Sequence, residues 1–308
     1  MEFRSERSGL AETKFDVTVV AVDEHGSVLL AVGDRDEPFY FRSAVKPLQA
    51  TVALEAGLSV PPEHLAVMCS SHGGFPAHVA IVDRILGDAG LDASALATPA
   101  TWPFADEARL TAITRGARTP KPVYHNCSGK HAGWLAACRS AGLPTAGYSE
   151  ADHPIQRAVS EVIAAATGAA PAHIGIDGCG APTHAGSVLD LATAFSRIST
   201  DDRFAAVAAA LQRFPALVAD ATRPDGLFGR WWDGPAKIGA AGVMAVARQG
   251  TAIVAKAWSG SDLVSVAAVT EAALRLGMIS AAAGAALEPV VHPTVLGGGR
   301  SVGTLTTG

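Results

Sequence analysis

Apolar residues follow two rhythms along this chain. Val17, Val19, Val20 and Val22 read as a β-strand, Asp23-Glu24-His25-Gly26 as a turn, and Val28 to Val32 as the return strand of a hairpin. A second hairpin is predicted from Gly242 to Ala247 and from Thr251 to Trp258, joined by Arg248-Gln249-Gly250. Elsewhere the spacing is helical. Val45, Leu48, Val52 and Leu54 predict a helix from Ser43 that Gly57 closes. Further helices are predicted over Ala77 to Ala89, Ala105 to Arg115, Lys130 to Ala141, Pro154 to Thr167, Ala185 to Arg197, Arg203 to Leu217 and Asp262 to Leu276. Leu65 to Met68 reads as a short buried strand or an apolar turn. The Ala/Gly-rich tail after Gly277 is expected to lie over the surface.

The order is hairpin, helix, a long helical stretch, hairpin, helix. Alternating βαβ units are absent, which argues against a doubly wound parallel sheet. The expected class is α+β. Both hairpins join one antiparallel sheet, the first and last helices cover it, and the middle of the chain forms an inserted, mostly helical lobe. Residues 1–308 are read as one compact domain, with a sheet lobe over about 8–60 plus 225–300 and a helical lobe over about 61–224. A cleft between the lobes is the expected site.

Composition narrows the function classes. With 49% hydrophobic and 17% charged residues, the chain can build a large core and is not disordered. Its net charge of −5, without basic runs, argues against nucleic acid as a partner. The N-terminus is polar and mixed in charge, and no apolar run is long enough to span a bilayer. A cytoplasmic, membrane-free protein is expected, so its four cysteines are read as thiols or ligands and not as a disulfide framework.

Three segments carry candidate chemistry. In Arg42-Ser43-Ala44-Val45-Lys46-Pro47, Ser43 and Lys46 stand one helical turn apart on one face. A neutral lysine can take a serine proton, and a helix start offers backbone N–H groups to an oxyanion. The same residues also read as an N-cap and a solvated first-turn lysine. In Cys127-Ser128-Gly129-Lys130-His131 and Asp177-Gly178-Cys179-Gly180, two thiols could hold zinc with Lys130 or His131; from spacing alone, buried structural thiols fit better. Lys256 lies in an otherwise apolar strand, where it either faces solvent or lowers the pKa of Lys46 and activates Ser71. Lys237 competes for that role.

Taken together, the segments resemble the asparaginase II family, the Rhizobium etli type of L-asparaginase, from Arg7 to about Gly277. The resemblance rests on Arg42 to Ala50, Ser70-Ser71-His72, Asn126 to Gly133, Asp152 to Gln156 and Gly175 to Pro182. It implies a fold of the serine β-lactamase and glutaminase kind. It also implies hydrolysis of a side-chain amide, of L-asparagine or a related compound, through an acyl-enzyme. The implied Ser–Lys pairs are Ser43 with Lys46 and Ser71 with Lys256. Arg42, His72, Asp177 and Gly178 are implied at the substrate. Cys127, Lys130 and Cys179 are implied as ligands of a zinc that tunes substrate binding. A homodimer is typical of the family. Cys69 and Cys138 remain core thiols.

The sequence departs from the family at several places. Phe75 and Ala241 stand where the family usually carries Glu, and Phe15 where it favours His. Trp231-Trp232 adds aromatic surface in a chain with few aromatics. These changes remove partners for an α-ammonium group. They point to an alternative: an amidase for a larger apolar substrate, or an acyl-transferring, amide-forming enzyme on the same apparatus.

Overall fold

The computed structural model describes residues 2–220 and 222–307. Its strands are β1 (Glu2–Arg7), β2 (Leu10–Val22), β3 (Val28–Val32), β4 (Phe39–Tyr40), β5 (His173–Ile176), β6 (Pro182–Gly186), β7 (Ala236–Gly239), β8 (Val243–Arg248), β9 (Thr251–Ala257), β10 (Thr294–Gly297) and β11 (Arg300–Thr307). Its helices begin with α1 (Lys46–Glu55), α2 (Pro62–Cys69), α3 (Pro76–Asp88), α4 (Asp106–Thr114), α5 (Ser128–Ser140) and α6 (Pro154–Thr167). They continue with α7 (Val188–Ile198), α8 (Ala205–Arg213), α9 (Pro215–Val218), α10 (Pro224–Gly229), α11 (Asp262–Arg275) and α12 (Ala281–Val291).

Both predicted hairpins belong to one antiparallel sheet of order β10-β11-β1-β2-β9-β8-β7, with β3 also paired to β2. β4, β6 and β5 form a second, small sheet. The central strands are apolar on both faces, so alternation sends their residues into two cores. Val20, Val22, Val243, Ala245 and Val254 pack against Leu48, Leu65, Met68, Trp134, Leu135, Ile163 and Phe195 of the helical middle. Val19, Ala21, Val246, Ile253 and Ala255 face Val264, Val269, Leu287 and Val290 of α11 and α12.

Several elements differ from expectation. Residues 65–68 lie inside helix α2, because Pro62 sits in its first turn and Glu63 favours its N-terminus. Ala185 belongs to strand β6; α7 begins only after Ser187, whose side chain and that of Asp190 form a reciprocal cap. The helix expected over 203–217 is broken between α8 and α9, where Pro215 has no N–H to continue the ladder. The tail is not a surface coil. It forms α12 and a hairpin whose β11 pairs with β1, a strand absent from the sequence reading. Their polar, Gly-containing sequences hide a short edge of sheet.

Candidate active site

The site forms where the sheet edge meets the helical layer. Phe41 to Val45 make a tight 3₁₀ turn that runs into α1, with Arg42 held at a positive φ of 51°. Strand β7 presses against this turn. A Cβ on Gly239 would sit 2.7 Å from Phe41 O and 3.2 Å from Ala44 N, so only glycine allows that approach. α5 approaches α2 equally closely. A side chain on Gly129 would collide with the Val67 carbonyl, and one on Gly133 with Met68. α2 stops at Cys69, and the chain leaves it extended through Ser70, presenting Ser71 to this junction.

At the junction one hydroxyl faces two lysine side chains. Lys46 Nζ lies 3.0 Å from Ser71 Oγ, 2.6 Å from Ser70 O and 3.5 Å from Asn126 O. Lys237 Nζ lies 3.3 Å from Ser71 Oγ and 2.8 Å from Ile238 O. Both lysines are fully buried. Burial, then the neighbouring Lys46, drives the Lys237 pKa down to about 7. Lys46 is also lowered by burial, but the Cys127 thiolate beside it opposes the shift. Three acceptors suit an ammonium on Lys46; one carbonyl and a hydroxyl suit a neutral amine on Lys237. Ser43 is half-buried, and among the described residues its Oγ has no hydrogen-bond partner.

Lys256 is not at this hydroxyl. Its Nζ donates to Ala241 O at 2.6 Å and to Ala257 O at 3.1 Å, and it lies 5.2 Å from the centre of the Trp258 ring. The reason is topological. β9 stands two strands in from the edge strand β7, roughly 10 Å away, so Lys237 and not Lys256 reaches Ser71. Lys256 instead holds the turn between β7 and β8.

The substrate candidates cluster in part. Arg42 donates through Nε to Asp177 Oδ1 at 2.8 Å, its second terminal nitrogen lies 2.7 Å from the same oxygen, and Gly178 N–H reaches that oxygen at 2.8 Å. Asp177 Oδ2 makes no hydrogen bond among the described residues. His72 is buried, and burial followed by the field of His78 keeps it neutral, well below the ordinary histidine range. Ser128 Oγ donates to Val123 O at 2.8 Å and so accepts from His72 Nε2 at 3.0 Å. That assignment leaves His72 Nδ1 a buried acceptor without a donor.

The sulfur cluster adjoins Lys46. Lys130 Nζ lies 3.4 Å from Cys179 Sγ, and the Cys127 and Cys179 thiols hydrogen-bond each other. All three are buried. The bond from Cys179 holds Cys127 well below the ordinary thiol range despite burial. Burial lowers Lys130, but Cys179 and Cys127 outweigh it and raise its pKa. Among the described residues no group of three or more His, Cys, Asp or Glu converges as a metal site. The donors this cluster offers are two thiols and the Lys130 amine, which can bind a metal only when deprotonated. His131 turns away from it, toward Tyr148 OH at 2.8 Å.

The aromatic departures divide. Trp232 is a core residue, with Nε1 bonded to Ala247 O at 3.1 Å and its ring against Phe228, while Trp231 is half exposed beside Arg213 and Arg230. Phe75 stays with the site: it begins α3, four residues after Ser71, and its ring lies 6.0 Å from that of His78. Arg223 and Asp225, unmarked in the sequence, also reach the site; Arg223 donates to Ser71 O at 3.1 Å. A lone Arg-Pro-Asp at the start of a short helix carries no signal. Lys237 had one, the Lys-x-Gly spacing that puts a glycine against the Ser43 turn.

An antiparallel sheet with helices on both faces and a serine–lysine cluster at their seam makes this an α+β scaffold with a buried polar site. The sequence profile of L-asparaginase II matches residues 3–307, and the chain belongs to that family. Membership supports an amidohydrolase. Among solved structures, a β-lactamase from Mycobacterium bovis is 16% identical, covering 84% of this chain and 94% of that one with a TM-score of 0.43. A protein described as Mglu is 14% identical, covering 85% and 67% with a TM-score of 0.48. No curated protein matches the chain.

Proposed function

We propose that the protein hydrolyses the side-chain amide of L-asparagine or a close relative, with Ser43 as nucleophile. The observation that carries this reading is the Ser71 hydroxyl shared by Lys237 and by Lys46, the residue three positions after Ser43. A proton passes from Lys46 to Ser71 as Ser71 passes its own to neutral Lys237. Lys46 is then a neutral amine on the face of Ser43 and takes the Ser43 proton as Oγ attacks the amide carbon. Backbone N–H groups at the helix start hold the oxyanion. The C–N bond breaks as the leaving nitrogen takes a proton from the relay, and ammonia departs. Water, deprotonated by the same lysines, cleaves the acyl-enzyme and frees Ser43.

Arg42, Asp177 and Gly178 receive the charged groups of the amino acid, with Asp177 Oδ2 open to its ammonium and the buried His72 ring next to Ser71 in sequence. Cys127, Lys130 and Cys179 would hold zinc, which would supply a fixed positive charge near Lys46. The four free thiols fit a reducing cytoplasm, and a homodimer is expected from the family. Among the described residues no helix is long and apolar enough to cross a membrane.

Phe75 and the exposed Phe104 near Ser71 favour a second reading, an amide or amine acceptor with an apolar group. Ammonia release from L-asparagine by wild type and by Ser43→Ala tests the first. Product masses from larger amides with added amines test the second. Full activity in Ser43→Ala, or no turnover of any amide, contradicts the proposal.

A further inference from the structure

One buried charge pair faces the site and has no part in the steps above. Arg223, just before α10, lies with Nε 3.1 Å from Asp225 Oδ1 and donates through a terminal nitrogen to Oδ2 at 3.2 Å. The side chains are 19% and 5% exposed. Burying such a pair is costly unless its geometry is good and its remaining groups are bonded. The start of a six-residue helix could be capped by a single polar side chain.

A second hydrogen bond of the guanidinium gives the pair a place in the site. Another Arg223 nitrogen donates to Ser71 O at 3.1 Å. The guanidinium also lies 5.7 Å from the centre of the Phe104 ring. The Phe104 loop is tied to the serine segment, since Ala105 N–H donates to Gly73 O at 2.9 Å. Ser71 is therefore held twice: at its hydroxyl by the lysines and at its carbonyl by Arg223.

The geometry points to Arg223 and Asp225 as a positioning pair: Arg223 fixes Ser71 in register with both lysines, and the two opposite charges set the field at Lys237. The inference rests on the proposed relay through Ser71 and Lys237. Charged and titratable groups reach Lys237 from each neighbouring element. They are Lys46 of α1, Cys69 of α2, Cys127 before α5, Arg223 and Asp225 at α10, and Asp262 of α11. Within that set Asp225 favours the Lys237 ammonium and Arg223 disfavours it.

Three variants of the full chain separate position from charge. Asp225→Asn is nearly isosteric, Arg223→Gln removes the cation, and Arg223→Lys keeps charge without the fork. Lys237 is titrated directly by NMR of ¹³Cε-lysine protein, assigned with Lys237→Arg, beside the pH profile of kcat/KM and circular dichroism. The Lys237 midpoint is expected to fall by roughly half to one pH unit in Asp225→Asn and to rise similarly in Arg223→Gln. Arg223→Lys should keep the wild-type midpoint with kcat down about tenfold and KM little changed. Folded variants with an unmoved midpoint, or shifts of the same sign, overturn the electrostatic part. Full kcat in Arg223→Lys overturns the positioning part. Loss of fold in every variant makes the pair structural and also overturns the inference. The NMR titration needs no turnover, so an inactive wild type would refute the proposed reaction without deciding this test.

Discussion

Lys237 Nζ stands 3.3 Å from Ser71 Oγ, and that hydroxyl is shared with Lys46 at 3.0 Å. Lys256, two strands away, holds a turn. Lys237→Met is therefore expected to lower kcat/KM by about 10²–10⁴-fold, the usual worth of a placed proton-transfer group. Lys256→Met should leave the chemistry within about tenfold and instead lower stability by about 1–2 kcal/mol, because the Ala241 carbonyl loses its donor. Ammonia-release kinetics and denaturant unfolding of both variants check this.

A Lys237 pKa near 7 fixes a pH dependence. The relay needs Lys237 neutral, so kcat/KM should rise with pH through an acid limb close to 7. Stability should follow the same group. The folded value lies below the ordinary 10.5, so between pH 7 and 10.5 the unfolded chain holds a proton that the folded chain has released. Unfolding free energy from this group then rises with pH across that window, and the burial penalty is at its full size below pH 7. Lys237→Met should flatten the rise and be more stable than wild type at pH 7. Urea unfolding at pH 7 and pH 9 reads both effects.

Metal content tests the sulfur cluster separately. One zinc per chain is expected, lost in Cys179→Ser and in Cys127→Ser. Ligation needs both thiolates and a neutral Lys130, whose pKa is raised. Affinity should therefore fall as pH falls, with protons released on loading. Elemental analysis and titration calorimetry in two buffers of different ionisation enthalpy check these outcomes.

Ala241 has a φ of 62°, a left-handed conformation that costs a residue with a Cβ about 1 kcal/mol. Its amide neighbours already include Gly242 at 75°. Ala241→Gly should raise unfolding free energy by about 0.5–1 kcal/mol, less than the strain itself because glycine gives the unfolded chain more freedom. Thermal and urea melts measure it.

Legibility in the sequence followed burial. Central strands such as Val17 to Val22 and amphipathic helices such as α6 carry period and caps, so they read correctly. β1 and β11 do not, because they are largely polar strands with few buried positions, and only their pairing partners show that they extend the sheet. Within the site, the sequence places Ser43 beside Lys46 and Cys127 beside Lys130 because their members lie within one helical turn. It does not place partners from distant segments. Lys237 and Lys256 are both lysines in apolar strands, and only the strand order decides which reaches Ser71. Trp231 and Trp232 look alike in sequence, yet one fills a core and the other meets solvent.

The central claim is that Ser43 is the acylated nucleophile and Ser71 the proton carrier. Wild type reacted with an acylating substrate analogue, quenched in acid and digested, should give one modified peptide containing Ser43. The adduct should persist in Ser71→Ala, formed more slowly, and vanish in Ser43→Ala. An adduct on Ser71, still formed in Ser43→Ala, would contradict the account.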